Sequence, residues 1–412
     1  MKRLLLAVLA VLLLAGGATA AYVLYKRSQE GNIRGSSTED FVTTKEKPKR
    51  PRPAEGSPWP MYGFDQQRTR DAPSKLRPPF RKQWTFRGKS LLEFPPAVAY
   101  GQLFFTNNGG ATYAIGAHKG RRLWRRATHR CTASSPAVAG KLVYQAFLNH
   151  PPCNAQGSGL NGLVVAYSAK SGRVRWTRKI GPSESSPLVA QGNVFVGDWN
   201  GRIYAFDAKT GHPRWTFATG DKVKGGLAYF GGRVFAGSYD HHVYALRART
   251  GKLVWRASAQ ERLGPLATFY STPAVAYGRV YIGGTDGRVY SYGASSGALR
   301  WSHDTGSYVY ASPAVSNELV FIGSYNGVFY AFDAATGDVR WQFQANGPIS
   351  GSATVLNGIV YFATLKQRTY ALNARTGRQV WTFPDGKYSP VVADSKRLYL
   401  VGHTRVYGMV ER

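Results

Sequence analysis

Tryptophan recurs in this chain at positions 84, 124, 176, 215, 255, 301, 341 and 381, with spacings of 40, 52, 39, 40, 46, 40 and 40 residues. A period near forty restricts the chain to a repeat architecture, in which each unit buries its apolar surface against its neighbours. The agreement extends beyond Trp84, Trp124, Trp176, Trp215, Trp255, Trp301, Trp341 and Trp381 themselves. Glycine stands four residues before each of the last seven, as Gly120, Gly172, Gly211, Gly251, Gly297, Gly337 and Gly377. Alanine stands three residues before each glycine, from Ala117 to Ala374, and tyrosine seven before six of them, with Val165 the exception.

One unit, residues 310–341, shows what the repeat builds. Ser312-Pro313-Ala314-Val315 reads as a short strand and Leu319–Gly323 as a second. Asn326-Gly327 then supplies the strongest short hairpin signal, since both residues tolerate positive φ. Val328–Phe332 forms a third strand, Asp333–Gly337 turns again, and Val339–Phe343 is the fourth. Four antiparallel strands with tight turns make a propeller blade. The recurring Gly fits a turn where a Cβ would clash, and the indole is expected to pack over the small Ala of a neighbour. With 47 Gly, 25 Tyr and 20 Phe, the composition suits many short strands.

Seven full units run from Pro96 to Trp381, and an eighth begins at Pro390 but lacks its fourth strand. Arg81-Lys82-Gln83-Trp84-Thr85-Phe86 matches Arg378–Phe383 and would supply that strand from the front of the chain. The expected fold is therefore all-β: an eight-bladed propeller over 59–412, its ring closed by an N-terminal strand so that no edge is bare.

Residues 1–27 read as a membrane anchor or signal sequence. Leu4–Tyr25 carries no charge and is bracketed by Lys2-Arg3 and Lys26-Arg27. As a helix this run would span about 33 Å, enough to cross a bilayer. Ala18-Thr19-Ala20 has the form of a signal-peptidase site, but the apolar run continues past it to Tyr25, as an anchor does. One N-terminal transmembrane helix is expected, with the protein single-pass in the cell membrane and the propeller on its extracytoplasmic side. Residues 28–58, including Lys45–Pro53, read as a disordered, basic, Pro-rich linker.

The two large departures from the period, Gln145–Gly162 and Ser258–Ser271, fall in loops on one face of the ring. Cys131 and Cys153 lie on that face in one blade, and a disulfide between them is expected in an oxidising compartment. Trp199, Tyr239, Tyr270, Tyr310, Tyr325 and Tyr388 map to loops on the same face and form the expected partner-binding face. Asp198, Asp240, Asp286 and Asn326 sit at equivalent hairpin tips, where turn chemistry explains them. His241-His242 are neighbours on a strand and point to opposite sides, so no metal site is assigned. Two cysteines exclude a four-Cys zinc centre, and no nucleophile–base set or phosphate-cradling loop appears. No catalytic, cofactor-binding or metal residues are assigned.

The Ala, Gly and Trp at these spacings, the eightfold count and the leading Trp59-Pro60-Met61-Tyr62-Gly63 resemble the PQQ-type, or quinoprotein-like, propeller repeat. That resemblance implies one of two branches. Quinoprotein dehydrogenases hold pyrroloquinoline quinone and calcium in the central funnel, whereas scaffolds such as the outer-membrane assembly factor BamB are non-catalytic and bind partner proteins. Many dehydrogenases stack the quinone on a disulfide of adjacent cysteines, but Cys131 and Cys153 are 22 apart. No calcium-binding Glu/Asn/Asp set can be placed by motif, and the lipid-carrying cysteine of the assembly factor is also missing. The resemblance points to the scaffold branch: a non-catalytic protein-binding or cell-envelope assembly scaffold with an envelope protein as partner and no cofactor. The alternatives are a quinone-dependent dehydrogenase, with PQQ and calcium, or a ligand-sensing propeller.

The formal charge is +32, and residues 1–52, with ten basic and four acidic side chains, leave about +26 on the rest. Such a field favours anionic lipid or an acidic cell-wall polymer. Nucleic acid is not expected outside the membrane.

Overall fold

The computed structural model describes residues 2–28, 31–43, 56–153, 159–263, 265–388 and 391–412. Eight antiparallel sheets follow one another around an axis. They span Ala97–Ala127, Ala137–Ile180, Leu188–Ala218, Ala228–Ser258, Ala274–Asp304, Ala314–Gln344, Thr354–Phe383 and Val392–Glu411, taken below as blades 1 to 8. First strands of neighbouring blades touch, so they line the axis and the fourth strands form the rim. The residue pattern follows from that layering. A third strand lies between two neighbouring blades, and Val328–Asp333 buries four successive side chains. A rim strand is covered on one face only, and Val339–Gln344 ends in alternating half-buried and exposed positions.

Blade 8 supplies three strands of its own, Val392–Ala393, Leu398–Val401 and Arg405–Glu411. Pro390, where the sequence places its start, lies outside the described residues. The fourth strand is Phe80–Arg87, antiparallel to Arg405–Glu411 with Trp84 opposite Gly408 and Phe86 opposite Val406. The expected closure is thus present.

The repeat residues lock each blade to the next. Trp84, Trp124, Trp176, Trp215, Trp255, Trp301 and Trp341 donate their indole N–H to the backbone carbonyls of Ala117, Ala169, Ala208, Ala248, Ala294, Ala334 and Ala374, over 2.9–3.1 Å. Each acceptor lies in the following blade. The same rings press on Gly120 to Gly377, whose φ values are +64° to +78° and where a Cβ would stand 2.5–2.7 Å from the indole. Only glycine meets both demands. The hairpin acids have structural partners too: Asp198, Asp240 and Asp286 accept the hydroxyls of the repeat tyrosines Tyr204, Tyr244 and Tyr290 at 2.9, 2.6 and 2.5 Å.

A second closure runs inside the ring. Residues 59–72 follow the first strands around the axis: Trp59 bridges Val98, and the carbonyls of Pro60, Gln66, Gln67, Thr69 and Arg70 accept from Val138, Tyr229, Val275, Val315 and Val355. Asp71–Ala72 then adds a short parallel strand to blade 7. Arg68, fully buried, donates to Leu227 O at 2.8 Å and to Ser186 O and Pro187 O at 3.2 and 3.1 Å, spanning blades 3 and 4. Burial, with Arg70 beside it, pulls its guanidinium down to about 9.

The N-terminal region departs from expectation. Lys45–Pro53 of the presumed linker lies outside the described residues, but 31–43 is ordered against blades 5 and 6 rather than forming a free stalk. Ile33 exchanges two 3.0 Å backbone bonds with Ser302 on the rim of blade 5, and Gly35 donates to Thr336 O. Arg34 forks Asp338, Arg300 forks Asp40, and Arg279 donates to Asp40 O at 3.0 Å. Composition alone does not disclose the docking of 31–43. Arg279, Arg300 and Asp338 belong to blades far away in sequence.

A helix forms over Lys2–Ser28. Among the described residues no helix is long and apolar enough to cross a membrane. The expected transmembrane span is therefore not borne out among the described residues.

Candidate functional site

Each blade enters its first strand through a loop with one recurring position, three places before the Pro of six blades and before Leu227 and Ala353 in the two that lack it. These positions are Glu93, Ala133, Glu184, Lys224, Tyr270, Tyr310, Ser350 and Lys387. Most of them, with Tyr62, Phe94 and Tyr388, wall a funnel on the loop face of the ring. Its floor is Tyr62 of the inner segment, whose hydroxyl meets Ser352 Oγ at 2.5 Å and Ser312 Oγ at 3.4 Å. The guanidinium of Arg70 lies 4.7 Å beneath the same ring.

Charge in the funnel is balanced and partly desolvated. Lys224 Nζ is 3.6 Å from Glu184. It also sits over three aromatic rings, 4.4 Å from the centroid of Trp199, 5.4 Å from Tyr239 and 5.9 Å from Tyr270. Burial, reinforced by Glu184, pushes the Glu93 carboxyl up to about 7 against the pull of Lys387. Burial likewise raises Glu184, with Lys224 opposing. Burial and the two glutamates hold Tyr270 protonated, well above the ordinary tyrosine value.

Five of the six aromatic residues expected on this face, Trp199, Tyr239, Tyr270, Tyr310 and Tyr325, come together, and Tyr388 stands apart. Tyr270 meets Tyr310 edge-on at 5.6 Å, and Tyr310 meets Tyr325 at 5.5 Å. Trp199 and Tyr239 join them through Lys224, and Tyr388 lines the opposite wall beneath Lys387. All six are half-buried, so each packs along the mouth while showing one edge to solvent. Tyr308 completes the patch, 53% exposed and 5.6 Å from Tyr310. The sequence reading passed over Tyr308, Glu93, Glu184 and Lys224. Counting back three from Pro96 and Pro187 finds Glu93 and Glu184, whereas Lys224 precedes Leu227, where blade 4 carries no Pro.

Cys131 and Cys153 form the expected disulfide, with Cα atoms 5.4 Å apart. It ties the loop inserted in blade 2 to the loop ahead of that blade, on the funnel face. Residues 154–158 of the insertion lie outside the described residues. His241 and His242 are held by backbone oxygens, through Ala267 O at 3.1 Å and Asp240 O at 2.6 Å.

The funnel does not fit a quinone with calcium. Its cavity is about 50 Å³, room for a water or two, whereas small-molecule pockets run to about 300–1,000 Å³. Glu184 is already engaged by Lys224. Among the described residues no three His, Cys, Asp or Glu side chains gather closely enough to hold a metal ion. On the rim, Arg214, Arg300 and Arg340 are neutralised by Asp207, Asp40 and Asp333, each at 2.6 Å. Arg121, Arg122, Arg173 and Arg175 of blades 1 and 2 form no ion pair among the described residues and stand exposed.

The family model described as outer membrane protein assembly factor BamB matches this chain over residues 81–183, 156–222, 199–311 and 285–409. No curated protein matches by sequence. Among solved structures, a quinohaemoprotein alcohol dehydrogenase from Pseudomonas putida is similar, with a TM-score of 0.72 at 14% identity over 86% of this chain and 80% of that one. BamB from Moraxella catarrhalis superimposes with a TM-score of 0.66 at 17% identity, covering 81% of this chain and 100% of that one. A europium-containing methanol dehydrogenase gives 0.71 at 13% identity over 86% and 98%. At these identities the likeness is one of fold.

Proposed function

The chain belongs to the PQQ-type propeller family described as outer membrane protein assembly factor BamB, and from that premise we propose that it is a non-catalytic scaffold of the cell envelope. Its loop face docks a partner protein. The observation that carries this reading is the contiguous patch of Trp199, Tyr239, Tyr270, Tyr308, Tyr310 and Tyr325 around a nearly closed funnel. Rigid aromatics with one free edge are the side chains that most often anchor protein interfaces.

The disulfide supports an oxidising, extracytoplasmic setting for the propeller. The uncharged run Leu4–Tyr25 between Lys2-Arg3 and Lys26-Arg27 supports attachment to the cell membrane. The unpaired arginines of blades 1 and 2 suit an anionic lipid or cell-wall polymer beside the partner. No quinone is needed for this role, and the size of the funnel favours its absence.

Purification from native membranes of the wild-type chain and of a Tyr310→Ala/Tyr325→Ala variant tests the proposal. A protein retained by the first and lost by the second supports it. Binding of pyrroloquinoline quinone with calcium-dependent, dye-linked alcohol oxidation would replace it with the dehydrogenase reading.

A further inference from the structure

The inner segment leaves a second space, at the opposite end of the axis from the funnel. It gives backbone bonds to the first strands of blades 1, 2 and 4 to 7. The first strand of blade 3 receives no backbone bond among the described residues; side chains reach it instead, Gln66 Nε2 on Val189 O at 3.1 Å and Arg68 on Ser186 O and Pro187 O just ahead of it. At that blade the chain detours through Met61–Asp65, with φ of +76° at Gly63 and +73° at Phe64. A phenylalanine in that region is strained, and strain of this kind gathers at binding sites.

Beneath the detour lies a cavity of about 620 Å³, the size that takes a small molecule. Met61, Phe64, Val138, Leu142 and Val189 are among the apolar side chains of its wall, and Lys209 also lines it. The carboxylate of Asp65, also in the wall, is committed to the Thr69 N–H and hydroxyl at 3.0 and 2.6 Å. Lys209 is exposed and makes no ion pair among the described residues. Its neighbour Asp207 is already held by Arg214.

We propose that this cavity binds a single-chain amphiphile, an acyl chain ending in a carboxylate, with the chain among Met61, Phe64, Val138, Leu142 and Val189 and the anionic head at Lys209. Apolar walls with one uncompensated cation at the opening match that ligand in both shape and charge. A neutral apolar molecule would leave Lys209 unused.

The test uses the full chain in lipid nanodiscs and dodecanoate carrying a photoactivatable diazirine, with cross-links mapped by peptide mass spectrometry. Labelling should saturate on the peptides carrying Met61, Leu142 and Val189. Unlabelled dodecanoate should displace it, and dodecanol about tenfold less well. Lys209→Glu, an exposed change that leaves the fold intact, should weaken labelling by about tenfold. Ala139→Trp should abolish it by filling the cavity, with an unchanged melt showing that the ring persists. Labels scattered over the rim or confined to the N-terminal helix, or equal competition by dodecanol with no effect of Lys209→Glu, would overturn the proposal.

Discussion

The indole N–H of Trp84 donates to the backbone carbonyl of Ala117 across 3.1 Å, and so ties the last blade of the ring to the first. Trp84 reaches this position from the front of the chain. The bond therefore exists only when residues 80–87 have joined strands some 320 positions away. It is one of seven such contacts, and it is the one that depends on closure.

Trp84→Ala should lower stability by about 3–5 kcal/mol through lost packing. Trp84→Phe keeps most of the packing and should cost about 1 kcal/mol for the hydrogen bond. Urea denaturation of the two variants checks both values, and equal midpoints for wild type and Trp84→Ala would remove the closing strand from the fold.

Arg300 is one anchor of the strap over 31–43, donating to Asp40 at 2.6 and 3.0 Å. Hydrogen bonds from Ser296, and then Arg300 itself, hold the Asp40 carboxyl below its ordinary value. Arg300→Ala should weaken docking by about 1 kcal/mol, so trypsin should cut at Arg34 about fivefold faster. Because the Asp40 pKa is depressed on folding, its stabilisation is present above the unfolded value of 3.8 and fades as pH falls through the folded one. Cleavage at acid pH, followed with pepsin, should therefore converge for the two proteins.

Glu93 gives the opposite pH dependence. Its carboxyl rises from an ordinary value of 4.5 to about 7 on folding. The stability this contributes is complete below the unfolded value and is lost as pH rises through the folded one. Relative to wild type, Glu93→Gln should gain about 1–2 kcal/mol by pH 8, after allowance for partial exposure. Melting temperatures at pH 4 and pH 8 measure the difference, and a constant offset between the proteins would show that Glu93 does not titrate there.

Removing the disulfide by Cys131→Ser/Cys153→Ser frees a loop closed by 22 residues and should cost about 3 kcal/mol. Proteolysis should then begin within 148–162, while the other blades keep their resistance.

The ring was legible in the sequence because every blade repeats the same local problem. Trp, Ala, Gly and Tyr recur where one blade packs on the next, so period and residue type report a contact directly. The disulfide was legible because Cys153 lies where the period breaks, and the aromatic loops because strand order within each repeat puts them on one face. The strap and the inner segment were not. Residues 59–72 meet partners scattered from Val98 to Val355, residues 31–43 bind only blades 5 and 6, and a pattern used once has no period. The funnel charges fall between, since Glu93, Glu184, Lys224 and Lys387 hold equivalent positions but are of opposite sign, and other blades carry Ala, Ser or Tyr there.

The partner-binding role is tested most directly by photo-cross-linking residue substitutions at Tyr310 and Tyr325 on the loop face and at Tyr229 on the opposite one, made in the native membrane. A scaffold docking through the aromatic patch should give the same discrete protein adduct from Tyr310 and Tyr325 and none from Tyr229. That adduct should disappear when Trp199→Ala and Tyr270→Ala are added. Adducts from Tyr229 alone, or none from either loop-face position, would contradict docking through this face.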